Sequence, residues 1–541
     1  MSTPLELNFS DPAAWHLINR AWEDDAGTLR LVGDYSGDPG APLQGMHFAF
    51  HRGICCRDAT FDFELNLQSH SDAGVIFRAR DASHFYLLHF PNCGQHSRAQ
   101  HFWVALSAMD ASGWLRRVRM SMVRGVPSTS GIWLSARVRV ERSRIEVRVG
   151  DYGHVAFEDV TYAGPGHVGV YGWRAASLRH VRVTCDDEAP GIFNVQVTPR
   201  VNWKTPAPND NTWQQPIDLK HLGDGELIMQ VNLQRVLTAG EDAVAVPHLM
   251  RSSDVGRTWS EPERIHAVTE GYSWSPPRMH LTPGGRLLLL VPGPDHKKVF
   301  ESNDGGRTWT PQGTTNLHVG PASEKPVQDL SPAGFLNLRD GSILALQLSA
   351  AYLNRAMNRH NIWTWGGSHC QAFTSRSSDD GRTWSEPVNV DNPGADADGN
   401  PLPGNLDLTE ASGFETTDGR VVLLIRPIYS PWMWQTWSDD GGRTWGPAVR
   451  GPFPGYAAPN MVRTVSGAVI FAHRMPGLCL HVTRDEGCTW DEGTTIDSSL
   501  WAMGSMVEVE PEVVLYVYWD SDYKRMRAQR VRVTAKELLP G

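Results

Sequence analysis

One octamer occurs five times in this chain, always in the form Ser/Thr-x-Asp-x-Gly-x-Thr-Trp. The copies are Ser252 to Trp259, Ser302 to Trp309, Ser377 to Trp384, Ser438 to Trp445 and Thr483 to Trp490. Their tryptophans are 50, 75, 61 and 45 residues apart. Repeats at such intervals specify an array of similar supersecondary units rather than one continuous core. Each octamer reads as a hairpin turn. Asp accepts backbone N–H groups, Gly supplies a position with φ > 0, and Trp anchors the turn between neighbouring sheets. The motif is therefore structural, and its residues are not expected to touch a substrate.

A second repeat lies between the octamers. Asp224-Gly225, Gly284-Gly285, Asp340-Gly341, Asp418-Gly419 and Ser466-Gly467 each precede a nearly continuous apolar run. A sixth run follows Glu512, where the Gly is lost. A hairpin whose second strand is apolar throughout should be buried on both faces. Inner hairpins alternating with outer octamer hairpins make four-stranded blades around an axis. Six inner hairpins predict an all-β, six-bladed β-propeller over 191–541, with a long loop over one face at 350–370.

Residues 1–190 contain no octamer. Phe61 to Leu67, Gly74 to Arg80, Phe85 to Phe90 and Ile132 to Arg142 alternate like strands, and Gly166-His-Val-Gly-Val-Tyr-Gly-Trp173 follows. This predicts an N-terminal β-sandwich, with Asp186 to Gly191 as linker. The order Phe-Glu-Leu, Ala-Gly-Val-Ile-Phe-Arg, then Gly-x-Val-Gly-Val resembles the concanavalin-like jelly rolls, some of them lectin modules. The 21 tryptophans, with 51 glycines and 36 prolines, suit many short strands. No helix beyond a turn or two is expected.

The formal charge of -10 argues against nucleic-acid binding, which needs a basic face. No run reaches the ~18 apolar residues of a membrane span. The start carries no basic or apolar leader pattern, and seven scattered cysteines read as reduced thiols, Cys55-Cys56 as small buried hydrophobes in a strand. A cytoplasmic protein is the expectation, secreted if a leader was trimmed. Metal-site spacing and Gly-rich phosphate loops are absent, so no metal or other cofactor is expected.

The octamers are Asp boxes, and with the inner hairpins they make residues 195–541 similar to the sialidase (neuraminidase) superfamily with BNR repeats. The resemblance implies an arginine cluster for a sugar carboxylate, an acid for the leaving oxygen, and a nucleophile with a partner base. Glu410 stands nine residues before Gly419, and Arg426 closes the strand sixteen after Glu410, both at the family's spacing. By resemblance Glu410 is the base that assists the nucleophile and Arg426 binds a carboxylate. Arg474 looks like a second cluster arginine. Strand alternation lets only one of His473 and Arg474 face the axis easily. Asp242 lies in a loop similar to the one bearing the acid/base Asp, with Glu241 as substitute. Two positions depart from the family: Gln214-Gln215-Pro216 replaces its Arg-Ile-Pro, and Met503 stands where the nucleophilic Tyr is counted. A Met cannot attack an anomeric carbon. Tyr272, Trp274, Arg278, Gln328, Asp329, Tyr456 and Asn460 precede inner strands and are further pocket candidates, as is Gln214.

The expected function is an exo-acting glycoside hydrolase that removes a terminal, acidic sugar from an oligo- or polysaccharide, with Glu410 and Asp242 as paired carboxylates. Two alternatives stay open. One is a polysaccharide lyase with His280, His360, His369 or His473 as base. The other is a non-catalytic carbohydrate-binding protein.

Overall fold

A computed structural model describes residues 3–19, 22–31, 46–68, 71–92, 101–126, 131–186, 203–204, 212–235, 245–268, 277–291, 298–317, 332–352, 368–390, 408–427, 432–455, 459–497, 503–520 and 525–541. Strands dominate, and one short 3-10 helix, Pro12–Ala14, occurs among the described residues. None of the described helices is long and apolar enough to cross a membrane. The chain divides into two compact units. One holds residues 1–201, 475–481 and 491–500, and the other holds the rest.

The first unit is a β-sandwich. In one sheet the strands run Gly153–Glu158, Arg144–Val149, Leu134–Glu141, Ala59–Leu67, Ala176–Cys185, Thr28–Leu31 and Trp22–Asp25. Ala59–Leu67 and Leu134–Glu141 alternate buried and open positions strictly, as a half-buried strand must. The second sheet runs Trp15–Ile18, His47–Cys56, Gly166–Trp173, Asp72–Asp81, His84–His89, His101–Met109 and Leu115–Arg124. Gly166–Trp173 is buried along its whole length. Val75, Phe77, Tyr86, Leu88 and Val170 fill the sandwich core. Phe48, Phe50, Phe85 and Tyr171 form an aromatic group on the sheet's other face, with centroids 5.2 to 6.2 Å apart. Cys55 and Cys56 are buried in their strand.

The second unit is a β-propeller. Six first strands ring its axis, each beside the next: Thr212–Gly223, Arg278–Leu281, Pro332–Asn337, Leu408–Glu415, Asn460–Arg463 and Met503–Glu510. Blades one to four are four-stranded sheets, and blade six is five-stranded. In blade six, Trp203–Lys204 from the start of the unit pairs with the outer strand Arg525–Val533, so the two ends of the propeller chain close one blade. The expected count of six blades needs a correction at blade five. Only its inner hairpin, Asn460–Arg463 with Val469–His473, stands wholly in this unit. Thr494–Asp497 instead clusters with the sandwich, where Thr494 and Thr495 pair with Arg116 and Leu115. Five separate sheets and the inner hairpin of blade five therefore ring the axis within this unit.

The inner hairpins turn where expected. Asp224 and Gly225 have φ of 48° and 78°, and Glu512 holds the left-handed position of the lost Gly at φ 60°. The second strands Val421–Pro427 and Val469–His473 are buried throughout. In the first octamer, Asp254 Oδ1 accepts from Thr258 N at 2.8 Å and Oδ2 from Thr258 Oγ1 at 2.6 Å. Gly256 N donates to Ser252 Oγ at 2.8 Å, and Trp259 Nε1 to Gly256 O at 3.2 Å. The other four octamers repeat the Asp–Thr pair of bonds.

Burial pushes the Asp254 carboxyl up, but the Thr258 and Ser252 bonds outweigh it and hold the group down at about 2. A carboxyl ionises near 3.9 in an unfolded chain. Its contribution to stability is thus fully present above about pH 4 and is lost as pH falls toward 2. Asp254→Asn is expected to destabilise the propeller at pH 7, with the difference from the parent shrinking below about pH 4. Urea unfolding at stepped pH checks this, and a pH-independent difference would refute it.

Candidate active site

The two ends of the propeller differ. Inner-hairpin turns and octamers share one end: Val255 N donates to Gly225 O at 3.1 Å, and Gly284 N to Asp380 Oδ1 at 3.0 Å. The starts of the first strands and the ends of the second strands therefore lie at the opposite end, here called the mouth. Glu410 is the third residue of its strand and Arg426 the penultimate residue of the next.

Glu410 and Arg426 meet at the mouth end of blade four. The register slips between Leu408 and Ala411, and this irregularity sets Glu410 near Arg426 across the hairpin. Arg426 Nη1 donates to Glu410 Oε1 at 2.8 Å. The guanidinium is 5% exposed and the carboxylate 27%, so the arginine is sheltered while the acid keeps a face open.

Adjacent blade five brings His473 and Arg474 to the same end, both buried. His473 stacks on Phe453 of blade four at 5.6 Å and 12°. Arg474 lies close enough to Tyr516 of blade six for its charge to oppose the upward push of burial on that phenol. Burial prevails, and Tyr516 stays protonated well above the usual tyrosine range. Its hydroxyl is buried without a hydrogen-bond partner among the described residues. Tyr516 belongs to a run that reads as core, and its spacing from Tyr518, one residue apart on one strand face, was the only available signal.

The other candidates fall out differently. Arg278 opens the first strand of blade two, but its guanidinium clamps Asp218 of blade one, with Nε and Nη2 each 3.0 Å from a carboxylate oxygen. Asp218 also accepts from Met279 N at 2.8 Å. Nearby Lys220 is lowered by burial, against the pull of Asp218. Burial and then the Lys220 charge bring His280 down to about 3, so it is neutral. His280 bonds Asn337 Oδ1 through Nε2 at 2.7 Å and packs on Phe335. A histidine so enclosed cannot serve as a base at the mouth. Asn460 accepts from Met506 N at 3.1 Å and so ties blade five to blade six. Gln214, His369 and Met503 are placed in strands, and only their backbone is described. Asp242, Glu241, Tyr272, Trp274, Gln328, Asp329, His360 and Tyr456 lie outside the described residues.

This architecture defines a class: a β-propeller whose outer hairpin turns carry a repeated Asp-containing octamer. Residues 200–405 match the BNR repeat-like domain family. Among solved structures, a Hadza microbial sialidase aligns at 15% identity over 90% of this chain and 96% of its own, with a TM-score of 0.46. The GH93 α-L-arabinofuranosidase of Fusarium graminearum aligns at 14% identity over 61% of this chain and 97% of its own, with a TM-score of 0.44. The carbohydrate-binding module CBM66 from Bacillus subtilis aligns at 16% identity over 31% of this chain and 93% of its own, with a TM-score of 0.24. No curated protein matches the sequence.

Proposed function

We propose that the chain is a glycoside hydrolase of the sialidase-like superfamily that removes a terminal, acidic sugar from an oligo- or polysaccharide. The Glu410–Arg426 ion pair at the mouth carries this reading. A half-open carboxylate beside a sheltered guanidinium gives a group able to move a proton next to one able to hold an anion. Arg474, at the same end of the adjacent hairpin, adds a second buried guanidinium. Two such groups in a low-dielectric mouth favour a substrate with a carboxylate. Asp242 is assigned as the acid that protonates the leaving oxygen, and Arg426 and Arg474 as carboxylate ligands. The lyase alternative draws no support from His280 or His473, which are both packed against aromatic rings.

The test is a screen of the full chain against neutral and acidic aryl glycosides and acidic oligosaccharides, reading released sugar and ultraviolet absorbance. Release of an intact acidic sugar is expected. An unsaturated uronate product, or no turnover on the whole panel, would overturn the reading.

A further inference from the structure

Two cysteines meet inside the sandwich. Cys56 ends the strand His47–Cys56 of the second sheet, and Cys185 ends Ala176–Cys185 of the first. Both belong to the sandwich core, 2% and 4% exposed. Their sulfurs lie 2.7 Å apart. Even two carbons rest about 3.5–4.0 Å apart when not bonded, and sulfur is the larger atom. The pair is thus closer than packing of separate thiols allows, and a short step from the ~2.05 Å of a disulfide.

The backbone holds both residues in place. Cys185 faces Ala59 across the ladder between Ala176–Cys185 and Ala59–Leu67. Just beyond it, Asp186 N donates to Asp58 O at 3.1 Å. Cys56 pairs with Gly166 in the other sheet. Only Arg57 and Asp58 separate Cys56 from the residue opposite Cys185. A third thiol, Cys55, is near but does not compete. It stands outside the core cluster, and strand alternation turns it to the other face. Burial and then the neighbouring Cys185 push its thiol up, so it stays protonated and a poor nucleophile.

We infer that Cys56 and Cys185 form a disulfide that staples the two sheets of the sandwich, in place of the reduced thiols that the sequence suggests. The oxidant is a low-molecular-weight disulfide, met while the chain folds and both sulfurs are still open. Its S–S bond breaks as the Cys56–Cys185 bond forms, and the two protons of the protein thiols leave on the two small thiols released. The staple joins positions 129 apart in the chain, and closing so long a loop strongly restricts the unfolded chain. Cytosolic reductants would keep the pair open, so the sandwich is stapled only in oxidising surroundings. The inference is independent of the catalytic reading.

Synthesising the full chain cell-free in oxidised or in reduced glutathione, then alkylating it in denaturant and mapping its peptides by mass, tests it. In oxidised glutathione the Cys56 and Cys185 peptides should appear joined and lighter by two hydrogens, while Cys55, Cys479 and Cys488 carry the alkyl group. In reduced glutathione all five should be alkylated. The joined form should melt about 5–15 °C higher in the sandwich transition. Cys56→Ala should abolish this sensitivity to glutathione, and Cys55→Ala should leave it. Alkylation of both Cys56 and Cys185 after synthesis in oxidised glutathione would overturn the inference, and so would a link from Cys55 to Cys185. A bond that formed without raising the melting temperature would refute the staple equally. Should Cys56→Ala fail to fold, the mass map and melting of the parent in the two buffers decide.

Discussion

Glu410→Gln is expected to lower kcat on any glycoside the protein cleaves by about 10²- to 10⁴-fold, the usual range for removing a positioned acid–base group. The same change should also destabilise the fold, and the two effects must be separated. Arg426 is nearly enclosed and Glu410 is its charge partner at 2.8 Å. Removing one member of a buried pair leaves the other uncompensated, which costs about 3–5 kcal/mol when burial is complete. Glu410 keeps an open face, so a smaller loss is expected here. Pairing Glu410→Gln with Arg426→Met removes both charges and should restore most of the stability. It should not restore turnover. Urea unfolding and initial rates on the single and double variants complete the cycle. If the double variant regained activity along with stability, Glu410 would be a structural counter-ion and nothing more.

Local chemistry explains what could be read from the chain alone. The turn pairs at 224–225 and 418–419, and the Asp–Thr bonds of the octamers, span at most a few residues, so their signals survive in one dimension. Glu410 and Arg426 belong to one hairpin, and their spacing places them together. Partners from other blades were invisible. Nothing near Arg278 announces that Asp218, sixty residues earlier, will take its guanidinium. Blade five shows the same limit. Thr494 and Thr495 of its last strand find Arg116 and Leu115, nearly 380 residues away. Tyr516 was hidden for another reason: on a strand buried on both faces, a hydroxyl does not interrupt the apolar pattern. The sequence segments between the repeats share no pattern of their own. For that reason candidates such as Asp242 and Tyr272 rest on resemblance alone.

Trp445→Ala is expected to destabilise the propeller by about 3–5 kcal/mol, the range for truncating a buried aromatic. Trp445 closes the fourth octamer but belongs energetically to two blades. Its ring packs in one cluster with Leu344 and Leu346 of blade three and Leu423 and Ile425 of blade four. Its Nε1 donates to Thr374 Oγ1 of blade three at 2.9 Å. The side chain therefore fills the wedge between neighbouring sheets, which a flat blade cannot fill with its own strands. Trp445→Phe keeps most of the ring and loses the bond, so about 1–2 kcal/mol is expected. Arg443→Ala, on an exposed side chain that bonds only within its own octamer, should stay within about 0.5 kcal/mol. Denaturant midpoints at constant m rank the three. If Trp445→Ala cost no more than Arg443→Ala, the octamers would be decorated turns rather than the struts between blades, and their recurrence would need another cause.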